Sequence, residues 1–490
     1  MAELTSTASL PVYSAARCTA MSSGRARGES AGRWLFFATA LFLHGSAAAQ
    51  TRAPTTQLEL RRCRSPSGND AARCGTISLP ENRAVPNGRV VHLDVVELPA
   101  LDSASDEPIL FLHGGPGLAA TQADSYVEWA LGGLRHTHDL VMVDMRGTGG
   151  ADRLTCDLYN EHGRIQPYLD PMFPIARVKT CATRLAARAD LTQYTTEIAA
   201  QDLDDVRAAL HAERWSLFGG SYGTRLALEY MRLFPSHVGR AVLFGVIPPE
   251  APIGRDFGLG GELALDSAFA SCAANARCRA AVPDPRGDVA TLLERLRHAP
   301  ARVTLWNGHR LWRESVSLNA RAAAELLWYE ANQPASLMQV LPLVHRAVDR
   351  GEFGPLIRAL ADASRSRRSG RGEGLMLSVL CAEDAPRLAQ REANDDTLLL
   401  GSPMVPELLE ACRAWPRGAV SPQFGDRVIS SIPTLLISGG RDPTSPAYLA
   451  DSAAAGLSQS VRYDDPRAGH ASLDARSRAR LTEFFEAPLG

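Results

Sequence analysis

Trp215-Ser216-Leu217-Phe218-Gly219-Gly220-Ser221-Tyr222-Gly223-Thr224-Arg225-Leu226-Ala227-Leu228-Glu229-Tyr230 decides the fold. A mainly apolar run enters a pair of glycines, and helix-forming residues follow the third glycine. The pattern reads as a strand, a sharp turn and a helix, with Ser221 at the turn. A serine hydroxyl is a poor nucleophile, so it must be lifted clear of a sheet to where a base can reach it; glycines two positions either side let the backbone turn that tightly. Gly-x-Ser-x-Gly is a short pattern in a chain with 40 glycines among 490 residues, so its surroundings carry the argument.

Downstream, Ile432-Pro433-Thr434-Leu435-Leu436-Ile437-Ser438 opens into Gly439-Gly440-Arg441-Asp442-Pro443, a buried strand ending in a turn that bears an aspartate. Where a serine elbow follows a strand in this way, the chain order of the remaining groups is acid, then histidine. Asp442 fits the acid, although an Asp before Pro is also a plain turn former. Of 12 histidines only His470, in Ala468-Gly469-His470-Ala471, lies beyond Asp442, which leaves one candidate base. Upstream, Ile109-Leu110-Phe111-Leu112-His113-Gly114-Gly115-Pro116-Gly117 again runs an apolar strand into glycines, baring backbone N–H groups to a developing oxyanion. Pro116 has no N–H, so Gly115 is the expected donor, paired with the N–H of Tyr222. His113 precedes the serine and reads as structural.

These segments, together with Asp144-Met145-Arg146-Gly147-Thr148-Gly149, resemble the prolyl aminopeptidase and tripeptidyl aminopeptidase family of α/β-hydrolases, in particular exported members with a large cap and a C-terminal TAP-like region. The likeness runs from about residue 58 to about 485. It implies an α/β-hydrolase fold: a mainly parallel central sheet with helices on both faces and a large helical cap insertion. It also implies a serine aminopeptidase acting through Ser221, Asp442 and His470 without metal or organic cofactor. The family's Asp-x-Arg-Gly-x-Gly turn is usually followed two residues later by serine, where this chain has Ala151.

The bulk figures agree with an enzyme of this size. A chain of 490 residues holds a hydrolase core of about 250 to 300 residues and an inserted domain. Hydrophobic content of 45% and charged content of 22% are those of a globular protein, and a formal net charge of -2 offers no basic field for nucleic acid. Arg25, Arg27 and Arg33 precede the apolar run Trp34–Leu43, and Ala47-Ala48-Ala49 supplies small residues before Gln50, which reads as an export signal. The run is too short to cross ~30 Å of hydrocarbon, so no stable membrane anchor is expected. Translation from Met21 rather than Met1 would give a signal of ordinary length. The expected division is signal peptide and upstream segment at 1–49, hydrolase core at 50–248, mostly helical cap at 249–425 and the C-terminal part of the core at 426–490. Within the cap, Ser364–Gly374 carries Arg365, Arg367, Arg368 and Arg371 and reads as a solvated loop, with a docking surface as the alternative.

Of nine cysteines, Cys18 falls in the segment to be removed, and an even set remains, as an oxidising compartment favours. Sequence alone does not fix connectivity. Proximity and the family resemblance imply Cys63 with Cys74, Cys156 with Cys181, Cys272 with Cys278, and Cys381 with Cys412. A periplasmic or extracellular location follows. The substrate expected is a peptide with a free N-terminus, or a small ester if the fold serves as a carboxylesterase; a non-catalytic binding member is the remaining class. An aminopeptidase needs an acid for the substrate ammonium, and Glu383 and Asp384 in Cys381-Ala382-Glu383-Asp384 are the candidates, Glu383 preferred; a solvated acid pair is the alternative.

Overall fold

The computed structural model describes residues 58–488 apart from 103, 106, 160–162, 309–310, 369, 390–397 and 403. The expected signal segment and both candidate start methionines lie outside the described residues. Before the cap the chain forms β1 (Arg61–Arg62), β2 (Arg73–Pro80), β3 (Val90–Leu98), β4 (Ile109–Leu112), β5 (Leu140–Val143), β6 (Trp215–Gly220) and β7 (Val238–Phe244). Two cap strands, β8 (Ala301–Asn307) and β9 (Trp312–Leu318), pair as a separate antiparallel hairpin. After the cap come β10 (Thr434–Gly439) and β11 (Ser460–Asp465).

The main sheet runs in the order β1-β2-β3-β5-β4-β6-β7-β10-β11. From β5 to β11 every pairing is parallel, and the β1–β3 edge is antiparallel. β4, β5, β6, β7 and β10 are buried along their whole length, which is why they read as continuous apolar runs rather than alternating ones. Helices cover both faces, among them Asp124–Leu131, Thr196–Ala209, Tyr222–Leu233 and Ala475–Glu486. After β4 the chain moves to β5 on one side and returns to β6 on the other. That reversal opens a crevice at the carboxyl ends of β4 and β6, the place where ligands bind in open α/β sheets. Gly114-Gly115 and Ser221 stand at those two ends.

Between β7 and β10 the chain builds helices from Phe257–Ala274 to Val405–Arg413, plus the β8–β9 hairpin, which the helical reading did not anticipate. Burial along β8 and β9 largely alternates, as a two-residue period requires for a ribbon with one face on the cap helices. The solvated loop expected at Ser364–Gly374 is corrected. The helix Phe353–Arg368 runs into it, and a second helix, Glu373–Val379, begins at its end. Three of its four arginines have charged or ring partners: Arg368 is buried against Glu325 at 2.8 Å, Arg367 pairs with Glu330 at 2.7 Å, and Arg365 lies over the Tyr168 ring. Four disulfides join Cys63–Cys74, Cys156–Cys181, Cys272–Cys278 and Cys381–Cys412. Among the described residues no helix is long and apolar enough to cross a membrane.

Candidate active site

Ser221 joins β6 to the helix Tyr222–Leu233 with φ 55° and ψ −126°, a left-handed backbone that a non-glycine residue adopts only at a cost of about 1–3 kcal/mol. The turn closes because its neighbours lack side chains. A Cβ on Gly223 would lie 2.0 Å from the carbonyl oxygen of Leu112, so the new helix could not settle against β4 with any larger residue there. The strain projects Oγ toward the loop after β10 and β11.

His470 Nε2 lies 2.8 Å from Ser221 Oγ, and its Nδ1 lies 2.8 Å and 2.9 Å from the two carboxylate oxygens of Asp442. The two ring nitrogens therefore face a hydroxyl and a carboxylate, the arrangement that lets the imidazole take a proton from Oγ while Asp442 fixes its tautomer. Asp442 is buried and accepts further bonds from the Thr444 N–H, the Ser445 N–H and the Ser445 hydroxyl. Burial pushes its acidity toward higher pKa, but the His470 charge and the bonds from His470 and Ser445 outweigh it and hold the carboxyl below the usual range. The His470 N–H donates to the carbonyl of Asn332 at 3.0 Å, and Thr444 Oγ1 donates to Asn332 Oδ1 at 2.6 Å. Asn332 belongs to the cap. One cap residue thus grips both loops that carry Asp442 and His470, a contact that no local sequence signal announces.

After β4 the backbone of Gly114 packs against Ser221, and Gly115 adopts φ 123°. Gly115 and the first residue of the helix Tyr222–Leu233 flank the serine; helix-start N–H groups have no intrahelical partner and suit an oxyanion. His113 is buried, and its Nδ1 accepts the Gly114 N–H at 2.8 Å, so its proton resides on Nε2. Burial, helped by the Arg371 charge, depresses its pKa to about 3 and keeps the ring neutral. Asp144 and Arg146, two residues of the third motif, act within the core. Asp144 accepts the N–H and hydroxyl of Thr121, while fully buried Arg146 pairs with Asp202 at 2.6 Å.

Glu383 and Asp384 do not stand where an ammonium anchor must. Both are fully buried in a π-turn, Leu380–Asp384, and neither lines the cavity over Ser221. Glu383 accepts the Thr196 N–H at 2.6 Å and its hydroxyl at 2.8 Å, and Thr196 Oγ1 is 2.8 Å from the Tyr222 hydroxyl. Asp384 pairs with buried Arg225 at 2.9 Å. The acids sit beneath the helix Tyr222–Leu233 rather than in front of it. The cavity itself measures about 790 Å³, with Ser221, His470, His113 and Gly115 on its floor and Phe257, Trp328, Tyr329, Met376 and Leu408 among its cap walls. Among the described residues no group of three or more His, Cys, Asp or Glu could hold a metal ion.

Comparison with known proteins places these features in context. Residues 107–286 match the alpha/beta hydrolase fold family model, and residues 397–486 match that of TAP-like proteins. Serine protease Hip1 of Mycobacterium tuberculosis is 30% identical over 222 residues, 42% of this chain and 42% of the relative. A tripeptidyl aminopeptidase of Streptomyces lividans is 30% identical over 196 residues, 36% of each chain. A proline iminopeptidase of Xylella fastidiosa is 28% identical over 145 residues, 29% of this chain and 32% of the relative. The chain spans less than half the length of these curated relatives.

Proposed function

Because this chain belongs to the α/β-hydrolases and carries a TAP-like region toward its C-terminus, we propose that it is an exported serine peptidase releasing residues from the free N-terminal end of peptides. The observation that carries the reading is the hydrogen-bonded series Ser221–His470–Asp442 on a strained elbow beneath a roofed cavity. In this mechanism His470 Nε2 takes the Ser221 proton as Oγ attacks the scissile carbonyl, and Asp442 stabilises the imidazolium that results. The N–H groups of Gly115 and Tyr222 receive the oxyanion. His470 then protonates the leaving amine, the acyl group stays on Oγ, and water activated by the same imidazole releases it. The cap covers Ser221, which favours a chain end over an internal segment. Four disulfides support an oxidising, periplasmic or extracellular location.

A carboxylesterase reading has one observation in its favour: no Asp or Glu lines the cavity among the described residues, so no described acid holds an ammonium. One panel separates the two. Free-amine and N-acetylated chromogenic peptides are compared with neutral esters in the parent enzyme and in Ser221→Ala, with fluorophosphonate labelling alongside. The peptidase reading expects free-amine peptides to be cleaved with higher kcat/KM than acetylated ones, and both cleavage and labelling to vanish in Ser221→Ala. Ester hydrolysis without peptide cleavage replaces it with the esterase; activity persisting in Ser221→Ala overturns both.

A further inference from the structure

The arginine-rich stretch that a sequence reading assigns to solvent forms part of the cavity wall instead. Arg367 and Arg371 both line the cavity that holds Ser221, and Arg153 lines it from the core side. Their placement is fixed by backbone pairing. The Gly372 N–H donates to the Gly117 carbonyl of the oxyanion loop at 2.7 Å, and the Gly374 N–H donates to the Leu154 carbonyl at 2.7 Å. Arg371 and Arg153 are therefore each one residue from a contact that ties this stretch to the core beside the oxyanion loop. Neither fits a structural ion pair. Arg371 gives its Nε to the Arg367 carbonyl at 3.0 Å, Arg153 gives its Nε to the Thr148 carbonyl at 2.8 Å, and among the described residues no carboxylate pairs with either. Arg367 is held by Glu330 through Nη2, while its Nη1 is buried without a partner. The nearby acids are committed elsewhere: Glu325 to Arg368, and Glu373 to the Cys156 N–H.

Cations with spare donors, in a cavity lined by no described Asp or Glu, form an environment for an anion rather than for an ammonium. We propose that Arg371 and Arg153, with Arg367 beside them, form a subsite that receives a carboxylate of the substrate bound over Ser221. Planar guanidinium groups bind carboxylates through paired N–H donors, and the surrounding Phe257, Trp328 and Tyr329 side chains limit competing hydration. The carboxylate has two sources in a peptide, an acidic side chain or the C-terminus of a short substrate. The inference rests on Ser221 being the nucleophile under the same cavity.

The test uses two substrate pairs, one differing in Glu against Gln and one in a free C-terminal carboxylate against the carboxamide. Each is assayed with the parent enzyme, Arg371→Gln, Arg153→Gln, Arg371→Lys and Ser221→Ala, and melting temperatures establish that each variant folds. Where turnover is too slow to measure, protection of Ser221 from fluorophosphonate by the same compounds gives the ratio. At least one pair is expected to favour the carboxylate by about tenfold or more in the parent, identifying the source; the ratio falls toward one in Arg371→Gln and recovers in part in Arg371→Lys. No carboxylate preference in the parent, with activity lost in Ser221→Ala, overturns the subsite and leaves the serine hydrolase standing. A preference that survives both glutamine variants overturns the assignment to these arginines. Undiminished activity in Ser221→Ala overturns the nucleophile and the subsite together.

Discussion

Glu383 shows how far a single residue can be read from sequence. Its place beside a cysteine in the cap suggests a tethered, accessible acid, yet its partners Thr196 and Arg225 lie more than 150 residues earlier, and nothing in Cys381-Ala382-Glu383-Asp384 states that the carboxylates face inward. Burial pushes the Glu383 pKa up to about 8, against the pull of Arg225 and with the push of Asp384. A folded pKa above the unfolded 4.5 means that the native state binds the extra proton. The associated stabilisation is complete below 4.5 and is lost as pH rises toward 8. Glu383→Gln cannot ionise, so urea melts from pH 4 to 9 should show a flatter stability profile than the parent. The preference for free over acetylated amines should be the same in both, because the side chain does not reach the cavity; a selective loss of free-amine cleavage would restore it as the anchor. Arg225→Met should destabilise by about 2–4 kcal/mol, since it leaves the buried Asp384 carboxylate with only the Ile253 N–H at 2.8 Å and Arg387 at 3.4 Å, and equilibrium unfolding measures this directly.

Elements were legible where local rules alone shape them. Strands buried on both faces announce themselves as apolar runs, and the glycines that end β4 and β6 mark the turns that bring Gly115 and Ser221 together. The order of Ser221, Asp442 and His470 along the chain carried as much information as their identities. The end of the helix Phe353–Arg368 was obscured because Arg367 and Arg368 are neutralised by Glu330 and Glu325, which sit on a different helix; composition registers the arginines without their partners. The π-turn Leu380–Asp384 is likewise set by tertiary contacts, and the Cys381–Cys412 bridge joins it to the helix Val405–Arg413. Cys381→Ser with Cys412→Ser should cost about 2–4 kcal/mol, read as a lowered melting temperature. Because the turn carries Glu383 and Asp384 beneath the nucleophile helix, the fluorophosphonate labelling rate should fall as well. A melting temperature unaffected by reduction would show that the bridge adds no stability.

At the scale of the whole molecule, the cap does more than enclose a cavity, because it holds the loops that carry Asp442 and His470. Asn332 follows the cap helix Ala320–Ala331, and its carbonyl accepts the His470 N–H while its side chain accepts the Thr444 hydroxyl. Thr444 in turn donates its N–H to Asp442. Removing the side chain in Asn332→Ala keeps the carbonyl and frees Thr444, so the Asp442 loop loses its tie to the cap while the His470 tie persists. Turnover should fall by about tenfold, the scale of one net hydrogen bond used for positioning, with only a small change in melting temperature. Asn332 also lines the cavity, so a change in KM alone would indicate a substrate contact rather than positioning. Thr444→Val removes the same bond from its other end and leaves Asn332 in place; Thr444 lines the cavity as well, so kcat and KM are read separately in both variants. If the bond is what matters, each single variant lowers kcat to a similar extent and the double variant is no worse than either, because both delete one interaction. Independent, additive losses would mean that Asn332 and Thr444 act separately, and the cap would then be a cover rather than a support for the Asp442 loop.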